Sequence, residues 1–510
     1  MADVVLVEPT PIDPPVKFTY RAYAPLTLLT IAAPLVKEGY SVKIVDQRIN
    51  SDWVQELLGS ISDETLCVGV TSMTGRQLIH ALKASAVVKQ NTDIPVVWGG
   101  IHASLLPEQT MADQNIDFVV QGEGEQTFLE LLHTLEEKKG NYDIDGLWYK
   151  QNGAIKTNPQ RKFLDLNTLP RIPFELVNIK DYDLDDALPI FTSRGCAHRC
   201  GFCYNLRYCD RRWRAMNPAR VIEDLKFYVS KYKPDKIIFR DDNFFQNLKR
   251  AHQICEGIIN EGLRFRWRAS CRIDYIKQMT ERDFQVVNDS GFEDFGFGME
   301  SGSQRVLDIM KKDITIEETM QATDKLRRLG FIYSGSFVGG YPGETEEDLD
   351  ETIDFITTLF RRDPSFAFVT FIYVPYPGTD AHDDLLKYGF QFPEKIEEWA
   401  NFHFAYDTAL PGVGKKHSFY SIKTPWLADS HKETLHNMDL LCQVAGRPLF
   451  RSSSILKGLM AFPYNLLIHF ARYRWAHKMF GFVPELPLID LVRKAGLSVY
   501  RLIFGRFPKR

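Results

Sequence analysis

Three cysteines fall within eight positions, Cys196, Cys200 and Cys203, in the run Thr192-Ser-Arg-Gly-Cys-Ala-His-Arg-Cys-Gly-Phe-Cys-Tyr-Asn. A C-x3-C-x2-C spacing lets a short loop fold around one corner of an iron–sulfur cluster, whereas a zinc site or a fully protein-ligated cluster takes four ligands. No fourth cysteine fits, because Cys209 lies six residues on, beside Arg211-Arg212-Trp213-Arg214. Three ligands leave one iron open to bind something else. The competing readings are a chance grouping or a zinc knuckle that recruits His198. Cys67, in an apolar strand pattern, and Cys255, in a helical one, read as small buried hydrophobes. Cys209, Cys271 and Cys442 are isolated, which argues against a second cluster.

A second set of residues with chemical potential follows the apolar runs of the first 140 positions: Glu8-Pro-Thr, Thr71-Ser72-Met73-Thr74-Gly75, Gly99-Gly100-Ile-His102-Ala103 and Gln121-Gly122-Glu123-Gly124-Glu125. Glycines in such loops allow close backbone approach to a large ligand. Ordinary turn chemistry is the alternative for any one loop; four of them on one edge favour a cofactor crevice. A GxGxxG fingerprint is absent, which disfavours a nicotinamide cofactor.

The elements that must position these residues form two series. Strands are expected at Val4–Val7, Val42–Val45, Leu66–Val70, Pro95–Trp98 and Asp117–Val120, with helices near Pro25–Glu38, Asp52–Leu58, Gln77–Lys89 and Glu125–Lys138. Continuous apolar strands separated by helices imply a parallel sheet covered on both faces, with ligands beyond its carboxyl edge. Residues 1–142 are therefore read as an open doubly wound α/β domain, and 143–188 as a hairpin and linker. A second βα series has strands at Pro189–Thr192, Lys236–Arg240, Arg266–Ser270, Phe295–Gly298, Ile332–Val338 and Phe366–Val374. Helices lie between, as at Pro218–Lys231, Leu248–Asn260 and Ile316–Leu329. Six βα units predict a full or partial (β/α)6 barrel over 189–400, its chemistry at the carboxyl ends of the strands. The cysteine loop follows the first of them.

This motif, in this place, resembles that of the radical S-adenosylmethionine (radical SAM) enzymes. In that family a 4Fe–4S cluster held by the three cysteines, here Cys196, Cys200 and Cys203, chelates the methionine moiety of SAM through its open iron. Reductive cleavage then yields a 5′-deoxyadenosyl radical. Phe202 matches the family's aromatic near the adenine. Arg240-Asp241-Asp242-Asn-Phe stands where many members carry Gly-Gly-Glu for the SAM amino group, so either Asp241 or Asp242 is the candidate there. Phe297-Gly-Met-Glu300-Ser301-Gly302 resembles the Gly-x-Glu-Ser-Gly element near the SAM ribose and carboxylate. Ser336 and Pro375-Tyr-Pro-Gly-Thr379 resemble the family's fifth and sixth strand ends. Arg268, Arg272 and Asp274 are open between SAM or substrate contact and a barrel ion-pair network.

A doubly wound domain before such a barrel resembles the cobalamin-binding class of the superfamily, and the likeness covers roughly residues 1–400. It implies cobalamin near Thr71, Ser72, Gly75, Gly99, Gly100, His102, Gly122, Glu123 and Gly124. The D-x-H-x-x-G motif that supplies a lower axial histidine elsewhere is missing, so no imidazole ligand to cobalt is expected. Met73 or Arg76 is the candidate for that face, and His102 is read as either a loop hydrogen-bonder or a ligand. The resemblance implies C-methylation: one SAM methylates cobalt, another generates the radical, and the substrate radical takes the methyl group. The alternatives are oxidative cyclisation without methyl transfer, as in the anaerobic magnesium-protoporphyrin ester cyclase, and a non-catalytic cobalamin sensor or carrier. No residue stands out as a catalytic acid, base or nucleophile.

The chain has 510 residues, 44% hydrophobic and 25% charged, with a formal net charge of −4. This ordinary globular balance excludes collagen-like, disordered and coiled-coil classes and gives no reason to expect a nucleic-acid partner. Eight cysteines with no secretory signal exclude a disulfide scaffold. The mean hides an asymmetry, because residues 451–510 hold eleven Lys/Arg against Glu485 and Asp490, so this stretch carries +9 and the preceding part −13. Its segments Leu456–Phe470, Trp475–Phe482 and Leu491–Phe507 interleave apolar and aromatic residues with the cations. Residues 401–510 are thus read as a mostly helical, basic extension, either an interfacial helix meeting anionic lipid or a cap on the barrel. The expectation is a cytoplasmic enzyme that touches the membrane peripherally through 451–510. Its substrate is then hydrophobic, a tetrapyrrole such as a bacteriochlorophyllide or a hopanoid lipid, and its reductant a flavodoxin- or ferredoxin-type electron donor.

Overall fold

The computed structural model describes residues 2–11, 22–138, 140–182, 187–402, 424–449 and 455–480, together with 485 and 488. In the first unit, strands β1 (Val4–Glu8), β2 (Val42–Asp46), β3 (Cys67–Thr71), β4 (Val96–Gly99) and β5 (Phe118–Val120) alternate with helices α1 (Leu26–Glu38), α2 (Trp53–Ser60), α3 (Gln77–Asn91), α4 (Ile101–Leu105), α5 (Pro107–Met111) and α6 (Gly124–Glu136). The parallel strands run in the order β2-β1-β3-β4-β5. Chain direction across the sheet reverses between β1 and β3, the switch point where such folds leave a crevice. Every residue of β1 is buried, as expected for a strand covered on both faces.

The hairpin expected beyond residue 142 does more than link. Its strands β6 (Leu147–Gln151) and β7 (Ala154–Thr157) extend the sheet antiparallel, with Phe118 opposite Tyr149 and Trp148 opposite Thr157. Apolar side chains on β6 and the short Asn152-Gly153 turn make edge pairing favourable, a tertiary gain that local pattern does not display.

The second unit is an open six-stranded parallel sheet in the order β8 (Ala187–Ile190), β11 (Lys236–Phe239), β12 (Arg266–Cys271), β13 (Phe292–Glu300), β14 (Ile332–Gly339) and β15 (Ala367–Ile372). Between β8 and β11 lie the two-residue strands β9 (Ser193–Arg194) and β10 (Arg214–Ala215), the helical turn α7 (Asn205–Tyr208) and α8 (Pro218–Tyr232). The later helices are α9 (Leu248–Asn260), α10 (Glu281–Asp289), α11 (Gln304–Ile309), α12 (Ile316–Arg328), α13 (Glu346–Arg362) and α14 (Ala381–Lys387). Reciprocal capping boxes start three of them, Thr280 with Asp283, Thr315 with Glu318, and Thr345 with Asp348. Trp267, Phe292, Phe295 and Phe244 form a buried aromatic core, with the Trp267 and Phe292 rings 4.6 Å apart.

Two helices follow, α15 (Asp429–Ala445) and α16 (Ile455–Ala476). α15 packs on β15, and α16 on α15 and α13. Two of the cations assigned to a lipid-facing surface point inward. Arg472 donates to the carbonyls of Ala445, Pro364, Phe366 and Arg447, and Arg474 pairs with Glu485. The segment Leu491–Phe507 lies outside the described residues. Among those described, no helix is long and apolar enough to cross a membrane.

Candidate active site

The cysteine loop springs from the end of β8 and is pinned where it begins. Asp241, at the end of β11, accepts hydrogen bonds from the Thr192 amide at 2.6 Å, from Thr192 Oγ1 at 2.7 Å and from Ser193 Oγ at 2.5 Å. Asp242 accepts from the Gly195 amide at 2.7 Å. Asp241 is therefore fully engaged in holding the loop, while Asp242 remains open to the space beside it. Of the two, Asp242 alone lines the cavity described below.

Cys196, Cys200 and Cys203 face polar donors. Asn243 Nδ2 lies 3.6 Å from Cys196 Sγ, and Arg272 Nη1 lies 3.6 Å from Cys200 Sγ. Burial pushes the Cys203 thiol up to about 12 and raises Cys200 as well, so loading metal must expel protons that the apo site retains. Among the described residues no three His, Cys, Asp or Glu side chains converge on a single ion. A cubane cluster has no such requirement, since each cysteine binds a different iron. Three thiols with neighbouring N–H donors fit a 4Fe–4S cluster, and His198 is occupied elsewhere, 2.6 Å from the Tyr275 hydroxyl.

Behind Cys200 sits a buried ion pair that the sequence did not single out. Lys312 Nζ donates to Glu300 Oε1 at 2.7 Å, and Arg272 Nη2 donates to the Lys312 carbonyl. Burial opposes the ammonium, but Glu300 and Cys200 hold Lys312 above its ordinary range. Glu300 takes φ +63, and its carboxylate folds back over Gly298, where a Cβ would stand 2.3 Å from Oε1. A side chain at position 298 would push the Glu300 carboxylate and the Lys312 ammonium out of their present places. The next two residues face the other way. Ser301 Oγ pairs with Thr352 Oγ1 at 3.0 Å and Gly302 packs against α13, so the structure puts both in helix packing and not in the candidate ligand contacts. Phe202 lies 5.9 Å from Lys312 Nζ, and Ser336 Oγ bonds the Phe297 carbonyl at 3.4 Å. Arg272 bridges Asp274, Lys312 and Cys200, so it joins the ion-pair network to the cysteine loop.

A cavity of about 320 Å³ opens between the two units. From the first it is lined by Glu8, Thr71, Ser72, Met73, Gly99, Gly100, Gly122, Glu123 and Gly124, and from the second by Arg194, Tyr204, Asn205, Tyr208, Arg240 and Asp242. It sits at the β1/β3 switch point. A Cβ at Gly99 or Gly122 would meet no atom nearer than 3.8 Å, so both present bare backbone to the crevice. A planar macrocycle with amide side chains fits such a rim of backbone and hydroxyl groups, and the residues present suit cobalamin.

Two residues placed there by the sequence do not line it. His102 is fully buried, with Nδ1 3.0 Å from Thr74 Oγ1 and its ring edge-on to Trp399. Burial lowers its pKa to about 3, which leaves a neutral core histidine. Gly75 faces the Phe402 carbonyl, 2.9 Å from where its Cβ would be. Glu123 lines the cavity but is committed to Arg214 at 2.6 Å, Arg194 at 3.1 Å and the Leu164 amide at 3.0 Å. Arg194 also pairs with Glu125. These two arginines, flanking the cysteine loop, tie it to the last loop of the first unit, and Tyr208 adds a bond to the Gly122 carbonyl at 3.1 Å. Arg194, two residues before Cys196, was a visible neighbour of the motif. Lys312 gave no signal, because its partner lies twelve positions away across a helix.

Residues 190–356 match the family model described as the radical SAM superfamily, and residues 20–132 match the B12 binding domain. The chain is 33% identical over 384 residues to an uncharacterized methyltransferase of Pyrococcus horikoshii, covering 74% of this chain and 81% of the relative. It is 22% identical over 471 residues to the bacteriochlorophyllide d C-12(1)-methyltransferase of Chlorobaculum tepidum, covering 91% and 90%. The solved structure of the radical SAM methyltransferase TsrM of Kitasatospora setae, with cobalamin and a 4Fe–4S cluster bound, shares the fold with a TM-score of 0.63 at 20% identity, over 75% of this chain and 77% of that one. With the cysteine loop and the cobalamin-type crevice facing one another, the chain belongs to the cobalamin-dependent methyltransferases of the radical SAM superfamily, whose cofactors are a 4Fe–4S cluster, S-adenosylmethionine and cobalamin.

Proposed function

We propose that this enzyme transfers a methyl group from SAM, by way of cobalamin, to an unactivated carbon of a hydrophobic polycyclic substrate, a tetrapyrrole of bacteriochlorophyllide type or a hopanoid. The observation that carries the reading is the single cavity bordered both by the glycine-rich loops of the first unit and by the residues after the cysteine loop. When bound, the cofactors supply a carbon-radical generator and a methyl carrier; the protein supplies position and exclusion of water.

In this reading Cys196, Cys200 and Cys203 hold the cluster. Phe202, Asp242, Glu300 and Ser336 surround SAM, with Lys312 fixing the Glu300 carboxylate. Thr71, Ser72, Gly99, Gly100, Gly122 and Gly124 cradle cobalamin through backbone and hydroxyl groups. Met73, on the cavity wall, would stand beside the corrin when cobalamin is bound. Asp241 and Glu123 are positioning residues that hold the loops on which these groups sit. A flavodoxin- or ferredoxin-type protein delivers the electron. Named relatives differ in substrate; among them a bacteriochlorophyllide methyltransferase matched over 91% of this chain and a hopanoid methylase act on compounds of the hydrophobic class.

Incubation of the reconstituted enzyme with deuteromethyl SAM and extracts of pigments and hopanoids tests the proposal by mass spectrometry. Incorporation of the label into a polycyclic product is expected. A product altered but unlabelled would assign the chain to oxidative cyclisation, and labelling of polar metabolites alone would remove the substrate class.

A further inference from the structure

Large exposed apolar residues are scattered singly over most of the molecule, which is ordinary for a protein surface. α16 is the exception. Phe462 is 63% exposed, Leu466 56%, Phe470 51% and Tyr473 56%. At 100° per residue these four positions lie within one quarter of the helix circumference together with His477, and His469 borders them. The opposite face is packed, since Ile468, Ala471 and Trp475 are buried and Arg472 is bonded to four carbonyls behind it. The helix is thus anchored on one side and bare on the other. Between Lys457 and Arg472 the sequence holds no charged residue.

We propose that this face of α16 is a docking surface for an anionic lipid bilayer. Charge complementarity selects the occupant. Arg472 and Arg474 are spent inside the protein, and Lys478 pairs with Asp350 and Asp354. The sequence that follows, 489–510, still holds six Lys/Arg against Asp490 alone. An apolar stripe joined to a cationic segment is the pattern that inserts shallowly among acyl chains while its cations meet anionic headgroups. A second copy of the chain would bring two such cationic segments together, which like-charge repulsion opposes. The surface is independent of the substrate assignment, and its test involves no substrate.

Flotation of the full-length protein with phosphatidylglycerol–phosphatidylcholine vesicles, and with phosphatidylcholine alone, tests the proposal. Binding is expected with the anionic vesicles only, weakened by high salt. Phe462→Ser with Phe470→Ser replaces exposed side chains and leaves the packed face intact; it should lower the bound fraction about tenfold or more. Arg493→Glu with Lys494→Glu and Arg501→Glu should lower it as strongly. Iron content after reconstitution serves as the folding control. The proposal is overturned if the wild-type chain does not float, or if the double variant floats as well as wild type. It is equally overturned if sedimentation shows a dimer in lipid-free buffer that the double variant abolishes, since the face is then a contact between copies.

Discussion

At the scale of single residues, the site is built from charges that are costly to bury and therefore must be paired. Lys312 and Glu300 are each about 6% exposed and bonded to one another. Removing one partner of such a pair strands the other, at a cost of about 3–5 kcal/mol. Lys312→Met should lower unfolding free energy by that order in urea denaturation, and Glu300→Gln with Lys312→Met should recover part of it. A single variant as stable as wild type would show that the pair is dispensable. Glu8 makes a different case. Burial, with Asp46 adding to it and Arg48 and Gln77 opposing, raises its carboxyl to about 7 from 4.5 in the unfolded chain. Below pH 4.5 both states hold the proton; above it the unfolded chain releases its proton first, so stability falls until pH passes about 7. The loss is about 3 kcal/mol on the scale of 1.4 kcal/mol per unit. Glu8→Gln should remove that component, so the stability of wild type relative to the variant declines across this window. A flat difference would refute the assignment.

Among elements, the most consequential contact joins the β5–α6 loop to the hairpin of β9 and β10. Arg194 and Arg214 reach from the hairpin to Glu123, and Arg194 alone reaches Glu125. Arg194→Ala leaves Glu125 buried without its cation, while Glu123 keeps Arg214. The expected result is a loss of about 3–5 kcal/mol, read in thermal or urea unfolding, together with weaker cobalamin retention on gel filtration. Unaltered stability and retention would mean that the two units are held together by other contacts. The elements themselves were largely legible in the sequence. All five parallel strands of the first unit and all six of the second overlap the positions read from the sequence; in the first, strands covered on both faces show as continuous apolar runs, whereas β12, β14 and β15 alternate buried and more exposed positions. The antiparallel edge pair was not legible, since the partner of β6 is decided by what lies beside it in space. The same limit applied to the site. Cysteine spacing is local and survived reading, whereas the direction of Ser301, of His102 and of Asp241 depends on contacts across 28 to 51 positions.

For the whole molecule, the open six-stranded sheet poses a problem that the C-terminal helices solve. β15 is an edge strand, and its outer face would be bare without α15. The carboxyl end of α15 and the turn before β15 both present carbonyls, at Ala445, Arg447, Pro364 and Phe366, to one guanidinium, that of Arg472. Burial lowers the Arg472 pKa to about 10, which still leaves it charged at neutral pH, as a cation at a helix carboxyl terminus should be. Part of the basic composition of 451–510 is therefore structural: Arg472 and Arg474 lock the extension to the rest of the protein. Arg472→Met keeps the packing volume and removes every donor. Each buried carbonyl left unsatisfied costs about 1–3 kcal/mol, so a loss of about 3 kcal/mol or more is expected. Limited proteolysis should then cut first between 446 and 480, while the cysteine loop, held by Asp241 and Asp242 in a different part of the sheet, keeps its iron. If Arg472→Met unfolds as late as wild type and resists protease in that region, α16 is fixed by its apolar face alone. The lock assigned to this arginine would then be wrong.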